Sequence, residues 1–298
     1  MGEESPRAPS AGSVPVRVGH IEFLNCYPLY FGLEQRAQAR DVLGQEPPDF
    51  ELVPGVPTDL NRMLVSGTID FGPISSIAYA RSHDRLRLSP RLSISSKGAV
   101  DSIQLVSRVP LEHIRHVAMT PKSATTVVLL KCILGLRYQQ DVRYSELLTT
   151  PNQALEDHDA VLLIGDEALE ALYFPFPDTR LYDLGRIWQE WTGVPMVYAV
   201  WAAREEFTRR HPAELQTIEE ELVRSMDYGR AHVDEVVEGA VGLSRFDRPC
   251  LTRYFGVLFY DFAPEYRAGL HRFYELAHEA GELPEVPELR FFGPDGGR

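Results

Sequence analysis

Phe50-Glu-Leu-Val-Pro-Gly-Val-Pro-Thr-Asp-Leu-Asn-Arg-Met-Leu-Val-Ser-Gly-Thr-Ile-Asp-Phe71 decides the fold class. Residues 50–53 read as a strand. Thr58 can cap a helix over 59–66, and Gly67 closes it. Residues 69–71 read as the next strand. Upstream, Val16-Arg-Val-Gly-His-Ile21 is a first strand, followed by a helix over 25–33 with Asn25 near its N-cap and Pro28 in its first turn. Downstream, Gly72-Pro73 leads into a helix that starts near Ser75. Strand–helix–strand–helix–strand within roughly 60 residues is the pattern of a parallel α/β sheet.

The middle of the chain repeats the theme. Residues 103–107 and 116–119 are expected strands, and 123–134 an expected helix. Ala160-Val-Leu-Leu-Ile164 is wholly apolar, as a central parallel strand should be, and a short helix follows over 166–172. Pro195-Met-Val-Tyr-Ala-Val-Trp201 is a further strand. From Arg204 onward the pattern is almost all helical, with one long periodic segment over 213–237, then 251–259 and 264–280. So few strands cannot make a sheet of their own, so this last third packs back on the first α/β unit. The expected organisation is a disordered tail over 1–13, one lobe of 14–100 plus 196–298, and a second lobe of 101–195. Two chain crossings, near 100–103 and 194–197, make a hinge and a cleft. Ligands in such folds sit between the lobes, at strand C-terminal ends and helix N-termini.

Composition narrows the partners. The chain has 298 residues and a net charge of -13, which disfavours nucleic acid and anionic membrane at long range. A small anion is still admissible, because a few local donors outweigh a diffuse distant charge. No apolar run approaches a membrane span. Cys26, Cys132 and Cys250 are far apart and form no CxxC pattern, which fits a reduced, cytoplasmic chain without a cysteine–zinc site. The histidines show no HxxxH or HxH spacing, so no metal site is expected.

Several residues sit where the cleft should be. Asn25, at the handover from strand to helix, is either a cap or a ligand contact. Ser75 and Ser76 at one helix start, and Ser123, Thr125 and Thr126 at another, are either caps or two hydroxyl-and-amide cradles for carboxylates. Ser102 lies at the first crossing, as a cleft residue or a small hinge residue. Asp166 follows the apolar strand, as a base or an N-cap. Trp191 packs helix on sheet or lines the cleft, and His20 reads as a core histidine.

Leu60-Asn-Arg-Met-Leu-Val-Ser-Gly-Thr-Ile-Asp-Phe-Gly-Pro-Ile-Ser75 resembles a segment of type 2 periplasmic-binding-protein folds. With Gly19-His-Ile-Glu-Phe-Leu-Asn-Cys-Tyr-Pro-Leu29, Gly72-Pro-Ile-Ser-Ser76, Thr120-Pro-Lys-Ser-Ala-Thr-Thr126, Ile164-Gly-Asp-Glu-Ala-Leu169 and Trp191-Thr-Gly-Val-Pro-Met-Val-Tyr-Ala-Val-Trp201, the chain is similar to the chorismate dehydratases of the futalosine route to menaquinone. The resemblance implies a two-lobed α/β fold with the ligand cleft between the lobes. It implies a hydro-lyase that turns chorismate into 3-[(1-carboxyvinyl)oxy]benzoate, driven by aromatisation and needing no redox cofactor. It favours Asn25 as a substrate contact, with Ser102 and Asp166 as further catalytic candidates. It gives the two cradles the two carboxylates of the substrate. No strong enzymatic base is evident, so a substrate carboxylate taking the proton is one reading. A binding or sensor module of the same fold, and the sister enzyme that forms dihydroxynaphthoate, are the alternatives.

Overall fold

The computed structural model describes residues 15–43 and 50–293; the tail expected over 1–13 lies outside them. The chain opens with β1 (Val16–Ile21), β2 (Phe50–Gly55), β3 (Phe71–Ser75) and β4 (Leu86–Ser96). It continues with β5 (Ile103–Ser107), β6 (His116–Met119), β7 (Arg143–Glu146), β8 (Ala160–Ile164) and β9 (Arg180–Asp183), then β10 (Met196–Arg204) and β11 (Phe259–Asp261). These strands make two sheets, ordered β11–β4–β10–β3–β1–β2 and β7–β6–β8–β5–β9. The chain passes from the first sheet to the second after β4 and returns before β10.

Both sheets are mixed, where the sequence suggested parallel ones. β1 runs parallel to β2 and β3, but β10 lies antiparallel between β3 and β4. β8 is central and fully buried, which explains its unbroken apolar run. It is parallel to β6 and antiparallel to β5. In the first sheet Asp70, the acidic residue of the motif before β3, accepts from Arg17 Nη2 at 3.1 Å and Arg204 Nη2 at 3.0 Å. It pins β1, β3 and β10 together, so this carboxylate serves the fold.

The helices are α1 (Tyr27–Leu43), α2 (Pro57–Ser66), α3 (Ser76–Arg81), α4 (Ala124–Cys132), α5 (Pro151–Asp157), α6 (Gly165–Tyr173) and α7 (Leu184–Thr192). After β10 come α8 (Glu205–Arg210), α9 (Pro212–Ala231), α10 (Val233–Leu243), α11 (Arg248–Val257) and α12 (Pro264–Glu279). α9 packs along α1, and α12 lies on β10 and α4, so the C-terminal helices do return to the first sheet.

Several expectations are corrected. The third strand runs Phe71–Ser75, where the sequence suggests 69–71, and so carries Gly72 and Pro73 inside it rather than after it. Thr58 does not cap α2; Pro57 occupies its first turn and the capping position falls on Val56. Gly67 does close α2, at φ +85°, where a side chain would be strained. The periodic segment over 213–237 breaks at His232, whose φ of -122° leaves the helical region. The last third contributes one strand, β11, after a helix that ends at Val257.

Candidate active site

Between the two sheets lies a cavity of about 50 Å³, lined by Asn25, Ser75, Ser102, Ser123, Thr126 and Tyr198 and by an apolar wall that includes Ile21, Phe23 and Ile94. No charged side chain lines it among the described residues. Its polar groups are hydroxyls and one amide.

Asn25 sits in a 3-10 turn, Leu24–Cys26, between β1 and α1. It is not a cap: the capping position is Phe23, and no side chain caps the turn. Its carbonyl accepts from Tyr260 Oη at 2.7 Å, which fixes the backbone. Its side-chain Oδ1 is buried with no hydrogen-bond partner. An orphaned buried acceptor costs about 1–3 kcal/mol, and such groups concentrate where function demands them.

Ser75 ends β3 and starts α3. Asn61 on α2 holds it from both sides, donating from Nδ2 to Ser75 Oγ at 3.2 Å and accepting from Ser75 N–H at 2.8 Å. Ser76 turns away: its hydroxyl donates to the Val197 carbonyl at 2.8 Å, and its own carbonyl accepts from Tyr274 Oη. Of the first expected cradle only Ser75 faces the cavity. At α4, Ser123 is the N-cap, accepting from Thr126 N–H at 3.3 Å, and its Oγ lies 2.9 Å from Thr126 Oγ1. Both line the cavity. Thr125 does not; its Oγ1 accepts from Ile77 N–H at 3.1 Å and ties α4 to α3.

Ser102 lines the cavity from the crossing, 4 % exposed. Asp166 does not line it, nor does it cap α6, whose N-cap is Ile164. Its Oδ1 accepts from Leu24 N–H at 3.2 Å, so a residue of α6 is bonded to the turn that carries Asn25. Burial raises its pKa, with the nearby Glu170 and Glu167 adding to the rise. It faces an outer groove shared with His20, Glu34 and Glu170. His20 packs edge-on against Tyr30, and burial lowers its pKa. Trp191 makes no cavity wall; it packs edge-on to Trp188 with ring centres 6.1 Å apart.

Sequence reasoning missed Phe23, Tyr198 and Asn61. Phe23 lies against Gly165, whose φ of +60° disfavours a side chain and whose Cβ would crowd the ring at 3.2 Å. Tyr198 shares a 2.9 Å hydrogen bond with Ser96 Oγ, and burial pushes its hydroxyl far above the usual range. β10 is buried on both faces, so no alternation marks which side Tyr198 takes. Asn61 was legible only as a polar residue inside an apolar helical period. The three cysteines are free and buried. Among the described residues no group of three or more His, Cys, Asp or Glu is placed to hold a metal ion, and no helix is long and apolar enough to cross a membrane.

The chain resembles characterised proteins in both sequence and fold. A chorismate dehydratase from Thermus thermophilus is 36% identical over 176 residues, 53% of this chain and 62% of that protein. A 1,4-dihydroxy-6-naphtoate synthase from the same organism is 27% identical over 184 residues, 60% of this chain and 63% of that protein. The matches thus span about three fifths of each relative. A Candida albicans protein described as having the generic periplasmic binding protein fold superposes with a TM-score of 0.68 at 11% identity, covering 95% of this chain and 99% of that one. The two-lobed binding-protein-like fold expected from the sequence is therefore present. With the menaquinone biosynthesis family model matching residues 16–279, the chain belongs to that family.

Proposed function

We propose that this protein is a hydro-lyase that removes water from chorismate to give 3-[(1-carboxyvinyl)oxy]benzoate. The observation that carries the reading is the uncharged, hydroxyl-rich cavity into which Asn25 brings a buried and unpaired amide oxygen. The higher identity to the dehydratase than to the naphthoate-forming relative favours this activity over its sister.

The chemistry asks for little. The substrate ring loses the proton on its ether-bearing carbon and the hydroxyl on the neighbouring carbon. The C–H electron pair becomes ring π density, the C–O bond breaks, and a benzene ring results. Asn25 orients the departing hydroxyl. Ser75 on one side, and Ser123 and Thr126 at the N-terminus of α4 on the other, bind the carboxylates through hydroxyls and backbone N–H groups. Ser102 completes the polar rim. Asp166 acts at a distance, by holding the turn that presents Asn25. The cavity offers no ionisable side chain suited to take a C–H proton near neutrality, which supports a substrate carboxylate in that role. Such a carboxylate becomes a stronger base when the closed site strips it of water.

We assign residues 14–100 and 196–298 to one lobe and 101–195 to the other, closing on the substrate by rotation about the two crossings. The present cavity holds only a few water molecules' worth of space, so a ligand of chorismate's size enters only an opened form. The free, buried cysteines support a reduced compartment, the cytoplasm.

The test is direct. Purified protein is incubated with chorismate while the diene absorbance is followed and the product is identified by mass. Loss of absorbance with one water removed is expected. A folded protein that leaves chorismate intact refutes the assignment, and turnover of a cyclised futalosine derivative instead would give it the sister activity. A pH–rate profile without an enzyme pKa between about 5 and 9 is expected for the substrate as base; a clear base limb near 7 removes that step.

A further inference from the structure

Ser102 is preceded by an unusual piece of backbone. Asp101 has φ +60°, a left-handed conformation that a residue with a Cβ rarely adopts. The Ser102 N–H donates to the Val100 carbonyl at 2.7 Å, so residues 100–102 form a three-residue turn with Asp101 at its apex. Turns of this kind persist only where their surroundings over-determine them.

The surroundings here come from both sides of the cleft. From α11, which lies with the C-terminal helices, Arg253 donates from Nε to Asp101 Oδ2 at 2.8 Å and from Nη2 to Oδ1 at 3.1 Å. This is a two-point pairing with a carboxylate that is only 2 % exposed. From the second sheet, Asp183 at the end of β9 accepts from the N–H groups of Val100 at 3.1 Å and Asp101 at 2.8 Å. Asp183 also accepts from Gln104 Nε2 at 3.2 Å and caps α7 through Arg186 N–H at 2.9 Å. Beyond the turn, the Ser102 carbonyl accepts from Gly165 N–H at 2.8 Å. The residue beside Arg253, Tyr254, is fully buried with its hydroxyl next to Ser102.

We propose that Arg253 and Asp101 are positioning residues: their ion pair, set against the Asp183 anchor, holds the strained turn that aims Ser102 into the cavity. The inference rests on the dehydratase reading for its kinetic consequence, but the clamp itself is a statement about the backbone at 100–102. Without Arg253 the Asp101 carboxylate is buried and uncompensated. It then moves toward water, the turn relaxes to a commoner φ, and Ser102 swings with it. Ser102 lies on the same polar rim as Asn25, and misplacing a rim group that positions the substrate for reaction lowers turnover more than it weakens binding. A pair serving stability alone would leave turnover intact.

The experiment uses the full chain and four variants: Arg253→Met, Arg253→Lys, Asp101→Gly and the double Asp101→Gly/Arg253→Met. Asp101→Gly relieves the backbone strain while deleting the clamp, so it separates the two contributions. Chorismate turnover and amide hydrogen exchange of peptides covering 100–104 are measured together. Arg253→Met is expected to lower kcat about 10- to 100-fold with little change in KM, and Asp101→Gly, which holds the left-handed turn without a clamp, is expected to lose less. The double variant is expected to be no worse than the lower single, because both remove one clamp. Arg253→Lys should restore part of the loss. Exchange at 100–104 should rise in Arg253→Met while α1 stays protected. If Arg253→Met keeps kcat within twofold of the parent, or if its exchange at 100–104 is unchanged, the clamp is refuted. If the parent protein itself does not consume chorismate, the dehydratase reading fails instead, and the exchange comparison still decides whether Arg253 holds the turn.

Discussion

Asn25→Ala should separate stability from activity. The side chain caps nothing, so the cost of about 1 kcal/mol that a lost N-cap carries does not apply. Its Oδ1 is a buried acceptor without a partner, and removing it relieves roughly 1–3 kcal/mol of uncompensated desolvation. Against this stands the packing lost with the amide, on the order of 1–2 kcal/mol for so few atoms. The two nearly cancel. For a chain of this size 1 kcal/mol moves the midpoint by roughly 2–4 °C, so thermal unfolding of Asn25→Ala should fall within a few degrees of the parent. Turnover should behave differently. If the amide steers the departing hydroxyl, its loss removes about 2.7 kcal/mol of transition-state stabilisation, or about 10²-fold in kcat. Thermal melting and the diene-absorbance assay, run on the same preparation, report both quantities. A variant that melts well below the parent yet keeps near-normal kcat would refute the argument. So would a well-folded Asn25→Asp protein with normal turnover, because that change places a negative charge beside a dianionic substrate.

Asp166→Asn tests the half-buried carboxylate that reaches across to Leu24. Its raised pKa means that the folded protein binds its proton more tightly than the unfolded chain, so stability falls as pH rises from the ordinary Asp range through the raised value. Asn keeps the acceptor and removes the titration, so its melting temperature relative to the parent should rise from pH 4 to pH 7; a constant difference contradicts this. Thr125→Val leaves the Ile77 N–H without its acceptor in a buried contact and should cost about 1–3 kcal/mol in denaturant unfolding while changing kcat less than threefold. A large kcat loss would put Thr125 back in the site. Gly165→Ala forces a Cβ into the left-handed region and against the Phe23 ring, so it should hold the lobes apart. Small-angle scattering should show less compaction with a bound product analogue than the parent shows, and equal compaction would mean that the Phe23–Gly165 contact does not limit closure.

Much of this architecture was legible because burial leaves marks in composition. The wholly apolar 160–164 and the run at 195–201 are strands enclosed on both faces, and Gly67 ends a helix where only glycine is unstrained. β4 went unread because Pro90 splits it, although Leu86, Leu88, Leu92 and Ile94 otherwise alternate with polar residues; its serines are buried and satisfied by tertiary partners: Ser93 Oγ donates to the Asp261 carbonyl, and Ser96 shares a hydrogen bond with Tyr198. In the site, Ser75, Ser123, Thr126 and Asn25 line the cavity from strand-to-helix positions, and Ser102 lines it from the crossing. Ser76, Thr125 and Asp166 occupy equivalent positions in sequence but spend their polar atoms on neighbouring elements. Local pattern places a hydroxyl at a helix start. Only the packing of a distant segment decides whether it meets a ligand or a backbone amide.

The insertion of β10 between β3 and β4 also sets an order of assembly on the ribosome. The first sheet has a gap in its middle until residues 196–204 have been made, although β4 ends at Ser96. At about 5–20 residues per second, β3 and β4 wait on the order of ten seconds with facing edges unpaired. The second sheet draws all its strands from 103–183 and can close during that interval. The second sheet can thus form before the first, which β10 then completes. Nascent chains halted with residue 190 exposed should protect 103–183 from protease while leaving 71–96 open to cleavage.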